Sequence, residues 1–211
     1  MRRRLILLGL VAVLFFVADA WAQTATSVWL EGPLDETAHL LTALLVIWAA
    51  GGLLDRIAVP LLVASVAIDL DHLPGDFGAR WLTAGDPRPY PHALLTVVLT
   101  LLLAWRVRRW RTLLLGAAVG LIVHFWRDLA EPGTGVGLLW PVSTTSFSLP
   151  HSSYLAVMVG LLGLSAWRAW HGLLWLGGCS GNARDPTGIG RVQTGRRSDR
   201  EPMVSLPGRD D

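Results

Sequence analysis

The chain is broken into more apolar stretches than an ordinary water-soluble domain carries. They run from Leu5 to Val17, His39 to Leu54, Ile57 to Ile68, His92 to Trp105, Thr112 to Trp126 and Ser153 to Trp170, each bounded by charge or by proline and glycine. With 52% hydrophobic against 16% charged residues over 211 positions, such a chain has too much apolar surface to stay disordered, and lipid is the solvent that accommodates it best. The pattern predicts an all-α integral membrane helical bundle, with five mature transmembrane helices after an N-terminal signal peptide or signal anchor. A run of about 15 residues covers only about 22 Å of a hydrocarbon core about 30 Å thick. The helices therefore have to extend past their polar ends, which places terminal His and Asp residues at headgroup depth. Short runs would also suit a soluble bundle or re-entrant hairpins.

Three regions follow. Residues 1–22 form a signal peptide or anchor helix: three arginines precede the first apolar run, and Ala20-Trp21-Ala22 has the small-x-small form of a signal-peptidase site. Residues 23–176 form the membrane-embedded helical domain. Residues 177–211, rich in glycine and scattered charge without apolar period, read as a disordered cytoplasmic tail.

Charge placement sets the orientation. Every basic residue is an arginine, and the loop holding Arg106, Arg108, Arg109 and Arg111 should be cytoplasmic. Alternation from that loop leaves only Arg80, Arg88 and Arg127 outside, with both termini inside before any cleavage. Trp105, Trp110, Trp167 and Trp170 then fall at the inner boundary, and Trp126 and Trp140 at the outer one. Trp48 fits no belt and belongs to the core. Gly116 and Gly120 form a Gly-x-x-x-Gly pair, expected to serve internal helix packing rather than dimerisation. The predicted location is a bacterial inner membrane, multi-pass.

The same alternation collects His39, His72, His92, His124 and His151 on the outer side, leaving only His171 opposite. Carboxylates accompany them. Asp69 and His72 share a helix face at i, i+3, and His124 and Asp128 at i, i+4. An ionised aspartate at the bilayer centre costs roughly 2.5–3.5 kcal/mol on insertion scales, and a bound cation relieves that cost by neutralising carboxylates and accepting neutral imidazoles. These residues could instead merely end helices in headgroup water, but helix ends have no reason to gather histidines on one side. A lone cysteine, Cys179, excludes a multi-cysteine zinc site, so the donors must be His and carboxylate. The net charge of +2 does not argue for nucleic acid. No P-loop, EF-hand or His-Glu-x-x-His motif occurs, and Gly188-Ile189-Gly190 follows no predicted strand. Asp76 and Asp86 read as loop acids, and Ser152-Ser153 as a helix cap rather than a nucleophile.

Four elements in order, Ala38-His39-Leu40-Leu41, Asp69-Leu70-Asp71-His72-Leu73-Pro74, Arg88-Pro89-Tyr90-Pro91-His92-Ala93-Leu94-Leu95, and His124 to Asp128 followed by Gly137-Leu138-Leu139-Trp140-Pro141, resemble the motifs of the YdjM-like inner-membrane metal-dependent hydrolases. The resemblance covers about Thr37 to Pro150. That family is grouped by similarity with zinc-dependent phospholipase C and P1-type nucleases. The resemblance implies a divalent metal, zinc, with His39, Asp69, Asp71, His72, His92, His124 and Asp128 as ligand candidates. It also implies a departure: in the family's His-Arg-Gly-x-Thr-His-Ser element, Pro87 takes the place of the first histidine, Pro89 the glycine, Pro91 the threonine and Ala93 the serine.

The implied chemistry is metal-assisted hydrolysis of a phosphoester or lipid-like bond at the outer membrane face, with membrane lipid and a small-molecule or lipid-linked substrate as partners and no nucleic acid. Asp69 is the expected general base, since Asp71 and His72 match the ligand pattern better, and Arg88 the expected phosphate contact. A metal-ion or proton transporter is the main alternative, yet the helix interiors from His39 to Leu54 and from His92 to Trp105 hold no ionisable group beyond their ends. A noncatalytic scaffold with a structural metal is the other.

Overall fold

The computed structural model describes residues 2–24, 27–72, 74, 78, 91–133 and 135–172, all within one compact unit, Met1–Gly177. The tail expected to be disordered lies outside the described residues, as do Arg88, Asp76, Asp86 and Cys179. Six α-helices form among the described residues: α1 (Arg2–Ala22), α2 (Val28–Ala50), α3 (Ala58–Ala67), α4 (Leu94–Arg106), α5 (Arg111–Asp128) and α6 (His151–Trp170). Short 3-10 turns occupy Asp55–Ile57, Ile68–Asp71 and Arg108–Trp110.

The all-helical expectation holds, with different bounds. Helix α2 starts well before His39 because the segment carrying Glu31, Asp35 and Glu36 continues the same helix. Pro33 lies in its second turn, where the ring nitrogen cannot donate to the Trp29 carbonyl. The helix stops at Gly51, whose φ of 59° is left-handed and whose N–H returns to the Trp48 carbonyl. Helix α3 is only 10 residues long, hemmed by a 3-10 turn on each side, and α4 has 13. Only α1, among the described residues, is long and apolar enough to cross a membrane by length and composition. Ser153 does not cap α6 in the expected way, because its hydroxyl donates to the Pro150 carbonyl at 2.6 Å.

Packing explains why successive helices run antiparallel. Phe15 and Leu8 of α1 join Leu41 and Leu45 of α2 and Tyr154 and Met158 of α6 in one core. Within it, the Thr42 hydroxyl and the Tyr154 phenol lie 2.6 Å apart. Leu61 of α3 packs with Ala43 and Ile47 of α2 and Val123 of α5 in a second core, and Val97 of α4 meets Ala118, Leu121 and Phe125 of α5 in a third.

The Gly-x-x-x-Gly pair serves the α3–α5 contact. A Cβ at Gly116 would stand 2.8 Å from the Ile57 carbonyl oxygen, and one at Gly120 would collide with the Leu61 carbonyl and approach the Ser65 nitrogen to 3.1 Å. Only hydrogen at these two positions lets the backbones approach so closely. That approach brings the C-terminal end of α3 against the last turns of α5.

The 22 residues between α5 and α6 fold back through an antiparallel bridge of Val136 with Phe147. From there the Leu138 carbonyl accepts the Leu94 N–H at 3.0 Å, pinning the start of α4.

Candidate metal centre

Packing brings the C-terminal ends of α3 and α5, the middle of α2 and the approach to α4 together, and there the polar residues of the sequence motifs meet. His39 lies on the inward face of α2, buried, with Asp35 one turn earlier. The last turn of α3 tightens into the 3-10 turn that presents Asp69 and Asp71, followed by His72. His92 sits on the extended approach to α4, held where the Pro91 carbonyl accepts both the Ala93 N–H at 2.8 Å and the Thr96 hydroxyl at 2.7 Å. His124 and Asp128 occupy one face at the end of α5 and are both fully buried.

The donor atoms converge. His92 Nε2 and His124 Nε2 lie 3.2 Å apart. Asp69 Oδ1 stands 2.9 Å from the first and 3.3 Å from the second. Asp128 Oδ2 is 3.1 Å from His124 Nε2, and Asp128 Oδ1 is 3.2 Å from His39 Nε2. Zinc bonds to nitrogen and oxygen of about 2.0–2.1 Å give a tetrahedral ligand-to-ligand edge of about 3.3 Å. The observed separations cluster around that edge.

The tautomers fit as well. His124 Nδ1 faces the Ser65 carbonyl at 2.9 Å, and a carbonyl only accepts, so Nδ1 carries the proton. His92 Nδ1 faces Asp71 Oδ2 at 3.2 Å and donates likewise. In the neutral form both rings then present Nε2 lone pairs to each other across 3.2 Å, an unfavourable contact that a shared cation turns into two bonds. The ring of His39 stacks on that of His124 with centroids 3.9 Å apart, which keeps both imidazole planes fixed.

Charge accounting points the same way. The buried guanidinium of Arg127 is directed at Asp35 and, at 3.5 Å, at Asp19. Asp69 and Asp128 face imidazoles instead. Asp69 Oδ2, Asp71 Oδ1 and His39 Nδ1 are buried without a hydrogen-bond partner, a state that is expensive for acceptors unless something else meets them. Among the described residues, four overlapping donor sets could hold a metal ion: His39, His124 and Asp128; Asp69, His92 and His124; Asp71, His72 and His92; and Asp35, His39 and Asp69. Nitrogen and carboxylate oxygen without sulfur is a donor set that suits a divalent transition ion.

All seven residues expected to bind a metal therefore come together. Their roles in the geometry are unequal. Asp69 stands between the three buried imidazoles, whereas Asp71 reaches the far nitrogen of His92, and His72 lies on the rim with a third of its side chain exposed, 3.8 Å from Asp69 and 3.7 Å from Asp71. His171 is at the opposite end of α6, against Trp167. Three contributors were not anticipated. Asp35 was detectable, since it precedes His39 at i, i+4 and so shares its face. Arg127 and Asp19 carry no local signal, because their pairing joins α5 to α1. No family model, curated protein or solved structure matches the chain.

Proposed function

We propose that the chain is a membrane-bound metal-dependent hydrolase, of the YdjM-like type its motifs resemble, acting on a phosphoester or lipid-like substrate at the outer membrane face. The observation that carries this reading is the convergence of His39, His92 and His124 Nε2 with Asp69 and Asp128 at tetrahedral-edge distances, the outer nitrogens of two of these rings being held by Ser65 and Asp71. Carboxylate and carbonyl groups that orient ligand imidazoles in this way are a regular feature of metal sites.

A divalent ion here, zinc by its donors, supplies Lewis acidity toward a phosphoryl or carbonyl oxygen and makes water nucleophilic near neutral pH. The chain's own residues define the approach. His39, His92, His124 and Asp128 are closed off from solvent, while Asp69 at 13%, Asp71 at 14% and His72 at 34% side-chain exposure form the open side, where a substrate would enter. Asp69 Oδ1 points at the imidazoles, and the Asp69 carboxylate, at the boundary of the open side, is the proton acceptor in this scheme. Arg88, four residues before His92 in the chain, is the proposed phosphate contact.

Multi-pass insertion belongs to the same proposal. It is supported by the outward faces of α4, α5 and α6, which expose Leu99, Leu102, Leu113, Ile122, Val159 and Trp167. The site would then sit recessed at the periplasmic rim, where a lipid or lipid-linked substrate is the nearest partner.

The decisive experiment measures metal content of purified wild type against the His124→Ala, Asp128→Ala double variant, followed by turnover on phosphodiester, phospholipid and carboxylic ester substrates. The proposal expects stoichiometric metal and turnover in wild type and loss of both in the variant. Metal retained by wild type with no turnover on any class would refute the enzyme and leave a structural metal. Reporter fusions at Arg109 and in the tail test topology, and an extracytoplasmic Arg109 would reverse the placement of every ligand.

A further inference from the structure

The N-terminal helix has the composition of a removable signal, yet it is built into the bundle. Phe15 is fully buried, with its ring 6.0 Å from that of Tyr154, and Leu8 and Ala18 are buried beside it. The helix does not loosen before the small-x-small site: α1 runs through Ala22, and the Gln23 N–H still returns to the Asp19 carbonyl. A peptidase needs an extended scissile segment, and this one is helical.

Most telling is Asp19. A carboxylate two residues past the apolar stretch of a disposable leader has no reason to be buried, but Asp19 is only 4% exposed and both its oxygens face partners on other helices. Asp19 Oδ1 lies 3.5 Å from Arg127 Nη2, and Asp19 Oδ2 lies 3.1 Å from His151 Nε2. Gln23 Nε2 joins the two, 2.7 Å from His151 Nε2 and 3.3 Å from Asp19 Oδ2, while His151 Nδ1 donates to the Ala130 carbonyl at 3.1 Å.

Arg127 in turn touches the metal centre. Its Nη1 donates to Asp35 Oδ1 and lies 3.4 Å from His39 Nε2, while Asp35 Oδ2 is 3.5 Å from that same nitrogen. Removing Asp19 takes away the anchor on the Nη2 side of this buried guanidinium and leaves part of its charge unpaired. Arg127 would then shift, and Asp35, bonded to its Nη1, would shift with it relative to His39.

We propose that the N-terminal helix is retained in the mature protein as an uncleaved element, and that Asp19 is a positioning residue whose pairing with Arg127 keeps Asp35 and His39 placed for the cation. The second half rests on the metal-centre reading above.

The test uses the full chain, produced in a bacterial membrane and purified in detergent. Intact mass and N-terminal sequencing should find a chain that still contains residues 2–22. A chain beginning at Gln23 overturns the proposal outright. Zinc affinity is then measured by competition with a chromophoric chelator for wild type, Asp19→Asn, Asp19→Glu and Phe15→Ala. Loss of an outer-shell partner weakens metal binding by about 10–100-fold, and the lower end is expected for Asp19→Asn because it acts through Arg127. Asp19→Glu, which restores the charge, should recover most of that loss. Phe15→Ala, which loosens the same helix without touching charge, should lower the melting temperature while leaving zinc affinity near wild type. Wild-type affinity in Asp19→Asn, or equal weakening by Phe15→Ala, would refute the positioning role. If wild type binds no zinc, the metal-centre reading fails and the positioning role falls with it, whereas the retained helix stands or falls on the mass alone.

Discussion

Replacing Gly120 with alanine tests whether the packing of α3 on α5 sets the metal geometry. In a solvated helix the change would be favourable, since alanine exceeds glycine by about 0.8–1.0 kcal/mol in helix propensity. At Gly120 the added Cβ collides with the Leu61 carbonyl oxygen and meets Ala64 Cβ at 3.0 Å and Ser65 N at 3.1 Å, and two of these three are backbone atoms with no rotamer to escape into. Relief requires α3 as a whole to move by most of an ångström, and overpacking of this kind costs about 1–3 kcal/mol. The net expectation is a loss of roughly 0–2 kcal/mol.

Gly163, in the exposed face of α6 with nothing within 4 Å of its added Cβ, serves as the control and should gain up to about 1 kcal/mol. The gap between the two variants, about 1–3 kcal/mol, should show as separate thermal transitions followed by tryptophan fluorescence. The displacement also reaches the site, because α3 carries the Ser65 carbonyl that orients His124 and leads directly into Asp69. Sites of this kind tolerate only about 0.5 Å of misplacement. Gly120→Ala should therefore bind zinc more weakly than wild type while Gly163→Ala does not. Equal stability of the two variants, or unchanged zinc affinity in Gly120→Ala, would refute the claim that this helix contact positions the ligands.

Other expectations separate the members of the site. Asp69→Asn should abolish tight zinc binding, because Asp69 Oδ1 faces both His92 and His124, whereas Asp71→Asn, acting through the far nitrogen of His92, should weaken binding by about 10–100-fold; isothermal titration would expose the reverse order. Tyr154→Phe removes the phenol from a pair in which the Thr42 hydroxyl already donates to the Ala38 carbonyl at 2.7 Å. The loss should be about 1 kcal/mol by thermal melting, with zinc affinity unmoved. Stripping the metal with a chelator should lower the melting temperature by an amount that zinc restores: about 2.7 kcal/mol at a concentration 100 times the dissociation constant. A chelator-insensitive transition would argue against any native cation.

Particular residues show how far the chain could be read without its fold. Apolar runs located every described helix, because burial in lipid or in a bundle demands the same long apolar face, and charge and proline ended them. The bounds slipped where polarity and helicity parted company, as at Glu31 to Thr37, which belong to α2 although Leu34 is the one large apolar residue among them. Gly116 and Gly120 were legible as a close-packing pair by their spacing alone, since only the absence of Cβ explains two glycines four apart in a helix. The histidines were legible as a group because antiparallel helices force alternate segment ends to one side.

What the amino-acid order determined by itself was this alternation: apolar segments that reverse direction at each polar break return to one side, which led to the expectation that His39, Asp69, His92, His124 and Asp128 would share it. Only tertiary structure decided which atoms face which. Whether Asp69 or Asp71 stands among the imidazoles, whether the Ser65 carbonyl fixes a tautomer, and whether Asp19 in the first helix balances Arg127 in the fifth all depend on helix rotation and approach to within a few tenths of an ångström. Those quantities are set by side chains interlocking across helices, and a linear pattern of polarity carries no record of them.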